Sequence, residues 1–249
     1  MEIRCEQDKR LSDAERAVME YINAKQCVME LLSIADVAEG AFVSNATVSR
    51  AVRKCGFSSF SELKFRLAED AKRNPQTYEM NRILSKSYTE CMETIRRLDI
   101  DAVIEIAARL RRAKTVYILA NGLTALVAEE FAIQLQCQKI SVNLISDSQM
   151  MKKLDLLAGP EDLVVILSVK NSTPELGIGA GLARQRGAAV VSICCTRGTA
   201  LDEVSDLAVY GYTQSIYTNR MFGGTSRLGL MIITRTIAEY LWTEAEDLG

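Results

Sequence analysis

The chain of 249 residues contains no histidine, and this absence narrows the chemistry that it can perform. Histidine is the most frequent general acid–base residue and the most frequent metal ligand in proteins. The seven cysteines are odd in number and form no C-x-x-C pair, so the spacing does not predict a structural zinc site. We therefore expect no metal, no cofactor and no enzymatic activity.

The sequence also lacks the segments that target a chain to a membrane or across it. No uncharged apolar run reaches about 18 residues, and Arg235 and Glu239 interrupt the nearest approach, LGLMIITRTIAEYLW. The N-terminus has no charged stretch followed by an apolar one, as a secretion signal would. We expect a cytoplasmic protein with no membrane partner, and in that compartment the cysteines should be reduced structural thiols.

A strong excess of charge of one sign is absent as well. The formal net charge is −2, with 48% hydrophobic and 25% charged residues. The length is sufficient for two domains with real hydrophobic cores. Any contact with nucleic acid must therefore come from a local basic patch, because the chain as a whole is not basic.

Residues 33–54, SIADVAEGAFVSNATVSRAVRK, predict two short helices joined by a tight turn. Ser33 can cap the first helix, and Gly40 is expected to end it because glycine tolerates turn conformations. Ser44 can cap the second helix, whose apolar positions recur at the helical period. This arrangement is typical of a helix-turn-helix, whose second helix lies in the DNA major groove.

Charge placement favours DNA binding over a purely structural hairpin. Residues 1–43 carry five basic and nine acidic side chains, whereas residues 44–73 carry seven basic and three acidic ones. Positive charge thus begins where the recognition helix begins, as attraction to phosphates requires. The exposed face should present base-reading residues followed by phosphate-contacting ones. The base-reading candidates are Ser44, Asn45, Thr47, Ser49 and Arg50, and the phosphate-contacting candidates are Arg53 and Lys54.

The flanking sequence predicts a small all-α bundle at residues 1–73. Ser12 and Glu15 form a capping-box pattern that opens a helix, and Ser59 or Ser61 can cap another. Asn74-Pro75 breaks the pattern, so we predict a linker at 74–81. Two helices should follow, at about 81–97 and 99–112, within a second domain at 82–249.

From Thr115 onward, short β-branched runs alternate with helical runs. Such alternation predicts a five-stranded parallel sheet with helices on both faces, a three-layer α/β domain. A long helix at about 224–246 should end the domain.

Ligands of open parallel sheets bind beyond the carboxyl ends of the strands, and two of these ends are rich in small polar residues. Asn121-Gly122-Leu123-Thr124 follows the first strand, and residues 168–175, SVKNSTPE, follow the third. Backbone amides, hydroxyls and Lys170 could hold a phosphate there, with residues 146–149 adding a polar contact. The alternative is ordinary helix capping, by Ser172 or Thr173 and by a capping box of Ser172 with Glu175.

The whole chain resembles the RpiR/MurR family of bacterial transcription regulators. LSDAERAVMEYI, SIADVAEGAFVSNATVSRAVRKCGFSSFSELK and GAAVVSICCTRGTALDEVSDLAV are similar to that family's helix-turn-helix and sugar isomerase (SIS) domains. The resemblance implies a phosphosugar site formed by a G-x-G-x-S loop and an S-x-S-G-x-T loop. Here the first loop departs at Ala120 and Thr124, and the second has Lys170-Asn171 in place of Ser-Gly. The implied ligand-binding residues are Asn121, Gly122, Thr124, Ser168, Lys170, Asn171, Ser172 and Thr173.

The resemblance implies a homodimeric or tetrameric regulator that binds operator DNA and senses a phosphosugar effector to control carbohydrate metabolism genes. Two alternatives remain open. One is a phosphosugar isomerase with an added helical domain, although the available carboxylates show no evident acid–base pair. The other is a regulator whose SIS domain only dimerises. The carboxylates near strand ends or in the following helices are Glu129, Glu130, Glu175 and Glu203.

Overall fold

The computed structural model describes Ile3, Cys5 and residues 11–73, 75–214 and 225–246, with side chains omitted at 75 and 244–246. The chain divides into two compact units, Met1–Thr89 and Glu90–Gly249. Each unit is built around its own apolar core. The all-α and α/β character predicted for the two parts of the chain is confirmed.

The first unit is a helical bundle whose helix starts are set by side-chain caps. The Ser12–Glu15 capping box is present, and the Ser44 and Ser59 hydroxyls accept backbone amides at their helix starts. Val48 and Leu63 are fully buried in the shared core. The helices are α1 (Asp13–Ala24), α2 (Ile34–Gly40), α3 (Asn45–Lys54), α4 (Phe60–Lys72) and the first part of α5 (Pro75–Arg97).

Helix α2 ends at Gly40, as predicted, but the glycine is needed for a different reason. A Cβ atom added at Gly40 would lie 2.3 Å from the ring of Tyr21. The glycine is therefore needed for close approach of α1, and the turn conformation is supplied elsewhere. Phe42 takes the left-handed backbone conformation in that turn, with φ of 55°.

The predicted linker at 74–81 also differs from the structure, because residues 75–81 are helical. Proline suits the first turn of a helix, where its missing N–H has no intrahelical partner, so Pro75 begins α5. The division between the two compact units falls inside α5, after Thr89. The functional limits of the two domains remain a prediction.

The expectation that all cysteines are reduced thiols is wrong for one pair. A disulfide joins Cys5 to Cys55, the residue that follows α3, across 50 positions of sequence. Sequence spacing could not reveal this pair, because only the bundle brings the two ends together. The other five cysteines, all within the described residues, are free: Cys27, Cys91, Cys137, Cys194 and Cys195.

The described residues of the second unit form one sheet of five parallel strands in the order β2-β1-β3-β4-β5. The central strand β3 is buried along its whole length, as expected of a parallel strand covered on both faces. The sheet register pairs Val116 with both Val142 and Leu163. The strands are β1 (Val116–Leu119), β2 (Val142–Ile145), β3 (Leu163–Ser168), β4 (Ala189–Cys194) and β5 (Leu207–Tyr210).

Two separate apolar clusters cover the two faces of the sheet, which makes the unit three layers deep. Phe131 and Ile237 pack on one face, and Leu154 and Leu176 pack on the other. No helix among the described residues combines the length and the apolar composition needed to cross a bilayer. The helices are the end of α5, α6 (Ile100–Arg112), α7 (Thr124–Cys137), α8 (Ser148–Met151), α9 (Pro174–Gln185), α10 (Ala200–Val204) and α11 (Leu228–Glu246).

Candidate functional site

Helix α3 buries one face and presents most of the predicted DNA-contacting side chains on the other. Val48, Ala51 and Val52 are fully buried against the bundle. Ser44 accepts the amide of Thr47 at 3.2 Å and so fixes the start of the helix. Ser49 is half-buried, and the exposed predicted residues are Ser44, Asn45, Arg50, Arg53 and Lys54.

Thr47 does not lie on the exposed face, contrary to the prediction. It is 8% exposed, and its hydroxyl lies 3.0 Å from the Ser44 hydroxyl. The same oxygen accepts a hydrogen bond from Arg50 Nη2 at 3.0 Å. Thr47 is therefore placed to orient the Arg50 side chain, while its own polar atom faces the cap of the helix.

Lys54 is held against the first helix of the bundle. Its Nζ lies 2.6 Å from Oε2 of Glu15, which is 3% exposed and also accepts the Ser12 amide at 2.8 Å. The hydrogen bond from Lys54, followed by that from Ser12, lowers the pKa of Glu15. Arg53, by contrast, is exposed and forms no ion pair within the described residues.

A groove of about 470 Å³ adjoins the recognition helix and was not predicted from the sequence. Hydroxyls from the starts of α2 and α4 line it together with two cations of α3 and α4. The signal in the sequence is the serine at each helix start, and the capping pattern accounts for these serines without a groove. The polar residues that line the groove are Ser33, Ser49, Arg53, Ser59, Ser61 and Lys64.

In the second unit, the two predicted ligand loops follow neighbouring strands. β1 lies between β2 and β3, and the chain reaches β2 on one side before it crosses to β3 on the other. The reversal of strand order between β1 and β3 opens a crevice at their carboxyl ends, where open α/β sheets bind ligands. The strand order therefore places the loops of residues 120–124 and 168–173 at one edge of the sheet.

The loop after β1 turns at Gly122. Gly122 has φ of 58°, and an added Cβ would meet no atom within 4 Å. Thr124 is 6% exposed at the first position of α7. Asn121 Nδ2 donates to Ser148 Oγ at 3.3 Å, so the loop after β2 joins the same polar group.

The loop after β3 is folded around Asn171, which stands where the resembling family has glycine. Asn171 adopts φ of 55°, the left-handed conformation that asparagine tolerates better than most residues. Its amide donates to Ser168 Oγ at 3.0 Å. The Asn171 side chain donates to Thr196 O at 3.0 Å and to Thr199 Oγ1 at 2.8 Å.

The helix start after this loop differs in detail from the prediction. Thr173 is the N-cap of α9, but its side chain makes no capping hydrogen bond, and Pro174 occupies the first turn as predicted. Glu175 forms no capping box with Ser172, because Thr173 and not Ser172 is the N-cap. The Glu175 carboxylate pairs with Lys152 at 3.4 Å. Ser172 and Lys170 are exposed at the edge of the crevice.

Comparison with known proteins identifies both units. Residues 2–74 match the helix-turn-helix domain of the rpiR family, and residues 109–234 match the SIS domain. The chain belongs to the rpiR family. It is a helix-turn-helix transcriptional regulator with a SIS domain, as the resemblance implied.

Relatives of this rpiR-family regulator include HexR of Pseudomonas aeruginosa, an HTH-type transcriptional regulator. It is 28% identical over 212 residues, which cover 80% of this chain and 74% of HexR. The solved structure of Vibrio vulnificus NanR in complex with ManNAc-6P has a TM-score of 0.62 at 20% identity, covering 97% of this chain and 90% of NanR. A candidate phosphosugar isomerase of Bacteroides fragilis has a TM-score of 0.57 at 17% identity, covering 69% and 92%. These structural likenesses show the fold.

The SIS domain includes a third loop that sequence reasoning missed. Thr196 Oγ1 donates to Val169 O at 2.9 Å, which joins the loop after β4 to the loop after β3. Thr199 and Asp202 form a capping box at α10, and this local pattern was the available signal. Asn171 Oδ1 is buried with no hydrogen-bond partner among the described residues. The contact between the loops after β3 and β4 therefore retains one unused hydrogen-bond acceptor.

The carboxylates considered for catalysis are spread over the SIS domain. Glu129 and Glu130 are exposed on α7, and Glu203 is exposed on α10. Glu175 is paired with Lys152. The polar groups that meet at the crevice are instead hydroxyls, amides and one lysine, which suit the binding of an anion.

Proposed function

We propose that this regulator binds operator DNA through α3 and that its SIS domain senses a phosphorylated sugar. The observation that carries the ligand proposal is the pair of polar loops at the carboxyl ends of the neighbouring strands β1 and β3. These loops supply the hydroxyls of Thr124 and Ser168. The NanR complex with ManNAc-6P supports this chemistry, since NanR has the same fold.

Within this proposal, Ser168 is a hydrogen-bond donor to the phosphate. Its oxygen accepts the Asn171 amide, which leaves the hydroxyl proton available to a ligand oxygen. Lys170 supplies positive charge at the open edge, where the family pattern has a hydroxyl. The proposed ligand-binding set remains Asn121, Gly122, Thr124, Ser168, Lys170, Asn171, Ser172 and Thr173.

For DNA binding, we propose that Ser44, Asn45, Ser49 and Arg50 read base edges and that Arg53 contacts phosphate. Thr47 acts indirectly, by holding Arg50. Because one such helix covers too few base pairs for a selective site, the active form is a dimer or tetramer that reads repeated half-sites. The work of such a regulator takes place in the cytoplasm, where the operator and the effector are found.

Sensing requires that the sugar phosphate bind two arrangements of the regulator with different affinities. We propose that the effector changes DNA affinity in this way and that the protein catalyses no reaction on it. The carboxylates support this view, because Glu129, Glu130 and Glu203 are exposed on helices and Glu175 is paired with Lys152.

The first experiment measures thermal unfolding of the full chain against a panel of phosphorylated sugars and amino sugars. Inorganic phosphate and the unphosphorylated sugars serve as controls. A ligand that binds only the folded state raises the unfolding midpoint with its concentration. We expect one phosphosugar to do so for the wild type, and Ser168→Ala to abolish the shift.

Thr243→Val is the matched control, because Thr243 is an exposed hydroxyl residue at the end of α11 that bonds only within its own helix. This variant should keep the full shift. If no phosphosugar shifts the midpoint at millimolar concentration, the sensing proposal fails and the dimerisation alternative gains support. Conversion of the bound sugar to its isomer, followed by NMR, would contradict the non-catalytic assignment.

A further inference from the structure

The turn between α2 and α3 carries a phenylalanine that neither the fold nor the backbone requires. Phe42 is 94% exposed, the largest exposed fraction of any large apolar side chain in the described part of the chain. Its neighbours Ala41 and Val43 pack against the core, whereas Phe42 does not. Burial within the bundle therefore does not explain the ring.

The backbone at this position disfavours phenylalanine. Phe42 has φ of 55°, in the left-handed region that a bulky residue rarely adopts. Its amide donates to Glu39 O at 3.0 Å, and the next amide donates from Val43 to Ala38 O at 2.8 Å. These two bonds define a Schellman motif, in which the left-handed residue is usually glycine.

The same pair of bonds ends three other helices in the described residues, which gives an internal comparison. Gly56 after α3 and Gly187 after α9 occupy the left-handed position in two of them, each with φ of 92°. Lys139 occupies it after α7, with φ of 64°. This chain therefore uses glycine or an exposed lysine where only the helix end matters, and Phe42 calls for another explanation.

The position of the ring indicates its partner. Phe42 stands two residues before Ser44, the cap of the recognition helix, and the first residues of such a helix contact base edges. The thymine C5-methyl is the apolar group of the major groove, and phenylalanine is one of the side chains that contact it. We infer that Phe42 is a DNA-contacting, specificity-determining residue whose ring packs on a thymine methyl of the operator half-site.

This inference rests on the proposed DNA-binding surface and adds to it a contact outside α3. It also accounts for the backbone strain, because the turn holds the ring outward in the free protein. A ring already fixed in position loses less conformational freedom on binding than a mobile one. A phosphate contact such as that proposed for Arg53 is made with DNA of any sequence, whereas a methyl contact discriminates between bases.

The test uses the full chain and duplexes that the wild type selects from a random library, with a scrambled duplex as reference. Two variants remove the ring and suit the left-handed backbone: Phe42→Gly and Phe42→Asn. Each should weaken binding to the selected duplex about tenfold, the equivalent of one well-packed apolar contact, and leave the scrambled duplex unchanged. Phe42→Leu, which keeps an apolar side chain, should recover part of the loss.

Lys139→Gly is the matched control, since it makes the same backbone change at the same motif in the SIS domain. It should bind both duplexes as the wild type does. Uracil in place of thymine, one position at a time, removes a single methyl. At one position in each half-site it should weaken the wild type but not Phe42→Gly.

The outcomes distinguish a failure of this inference from a failure of the proposal that the protein binds DNA through α3. If the wild type selects a duplex and Phe42→Gly binds it within twofold of wild type, the inference is wrong while DNA binding stands. A change of oligomeric state in Phe42→Gly, measured by sedimentation, would assign the ring to a contact between protein chains. That result would also overturn the inference. If every uracil substitution acts equally on the wild type and Phe42→Gly, the thymine methyl is not the partner. If the wild type selects no duplex, the DNA-binding proposal fails and the inference fails with it.

Discussion

Phe42 and Asn171 have the same left-handed backbone, with φ of 55° at each, but their side chains are in opposite situations. Asn171 makes two side-chain hydrogen bonds that join the loops after β3 and β4. Phe42 lies 94% exposed and contributes nothing to the core of its unit. A strained residue with partners inside the fold has a structural explanation, whereas one without them points to a partner outside the fold.

The two sites that contain these residues are also built differently. The side chains proposed to read DNA lie on α3 and at its start, which is set by the Ser44 cap and the turn before it. The proposed ligand site combines the loops after β1 and β3, which only the sheet brings together and which are bonded to the segments after β2 and β4. Local changes should therefore alter the first site without unfolding it, while the second depends on bonds between distant segments.

The disulfide provides the test of this contrast with the largest expected effect. It links Cys5 to Cys55 at the end of α3, across 50 positions of sequence. Cys5→Ser removes a cross-link that spans 50 residues and should lower the free energy of unfolding of the helical unit by about 3 kcal/mol. Urea unfolding followed by circular dichroism measures this loss. The only tryptophan, Trp242 on α11, reports the SIS domain separately.

Cys137→Ser is the control for Cys5→Ser, since Cys137 is exposed and free. The tryptophan transition should not move in either variant. If Cys5→Ser abolished binding to the selected duplex under conditions where the unit remains folded, the view that the DNA site is locally determined would be wrong.

Asn171→Gly tests the second site. It removes the side-chain hydrogen bonds between the loops after β3 and β4, and glycine can still adopt the left-handed backbone conformation. Two hydrogen bonds are lost and a partly buried hydroxyl loses its donor, so we expect the SIS domain to be destabilised by about 2 kcal/mol. Phosphosugar binding should weaken as well, because the loop that carries Ser168 and Lys170 is no longer bonded to the loop after β4. Tryptophan-detected urea unfolding and the thermal shift measure the two effects.

Lys139→Gly again serves as the control, and it should not destabilise the SIS domain. An Asn171→Gly variant that is as stable as wild type and binds the sugar normally would show that the loops are held by other contacts.

Glu15→Gln tests the support beneath the recognition helix. The variant loses the charge that pairs with Lys54 and weakens the capping box, so the helical unit should be destabilised by about 1 kcal/mol at neutral pH. The pKa of Glu15 in the folded state lies below its ordinary value of 4.5. Its stabilisation is therefore complete above pH 4.5 and is lost as the pH falls through the folded pKa.

The difference in unfolding free energy between wild type and Glu15→Gln should shrink as the pH is lowered below about 4.5. Circular dichroism-detected urea unfolding at several pH values measures it. Glu20→Gln, an exposed change on the same helix, is the control. A difference that stays constant with pH would show that the Glu15 charge does not support the helix.

Phe42→Gly should have the smallest effect on stability. Its effect should also be opposite to that of Asn171→Gly, because it should raise the free energy of unfolding rather than lower it. Relief of the left-handed strain should stabilise the helical unit by up to about 1 kcal/mol, reduced by the backbone entropy of glycine. Differential unfolding by circular dichroism measures this gain. Destabilisation of more than about 1 kcal/mol would mean that the ring does stabilise the folded unit.

Sequence reasoning succeeded best where the signal was local. The caps at Ser12, Ser33 and Ser44 follow from a hydroxyl placed before an amphipathic run, and all three are present. The five strands were recognisable as β-branched runs separated by helical ones. The helix boundary at Pro75 was misjudged, because the Asn-Pro pair marks both a chain break and a helix start.

It failed where contacts depend on distant segments. The burial of Thr47 follows from how α3 packs in the bundle. The Lys54–Glu15 pair joins residues 39 positions apart. The role of Gly40 followed from the approach of the Tyr21 ring, which no pattern within α2 indicates.

By itself, the sequence determined the two fold classes, the recognition helix and the polar loops, since caps, periodicity and turn residues act over a few positions. Tertiary structure decided the neighbours of each loop, the disulfide, and which α3 residues face outward. It also decided that Asn171 has partners within the fold while Phe42 is exposed. The physical reason is that burial and long-range hydrogen bonds depend on how the elements pack, which a local pattern does not contain.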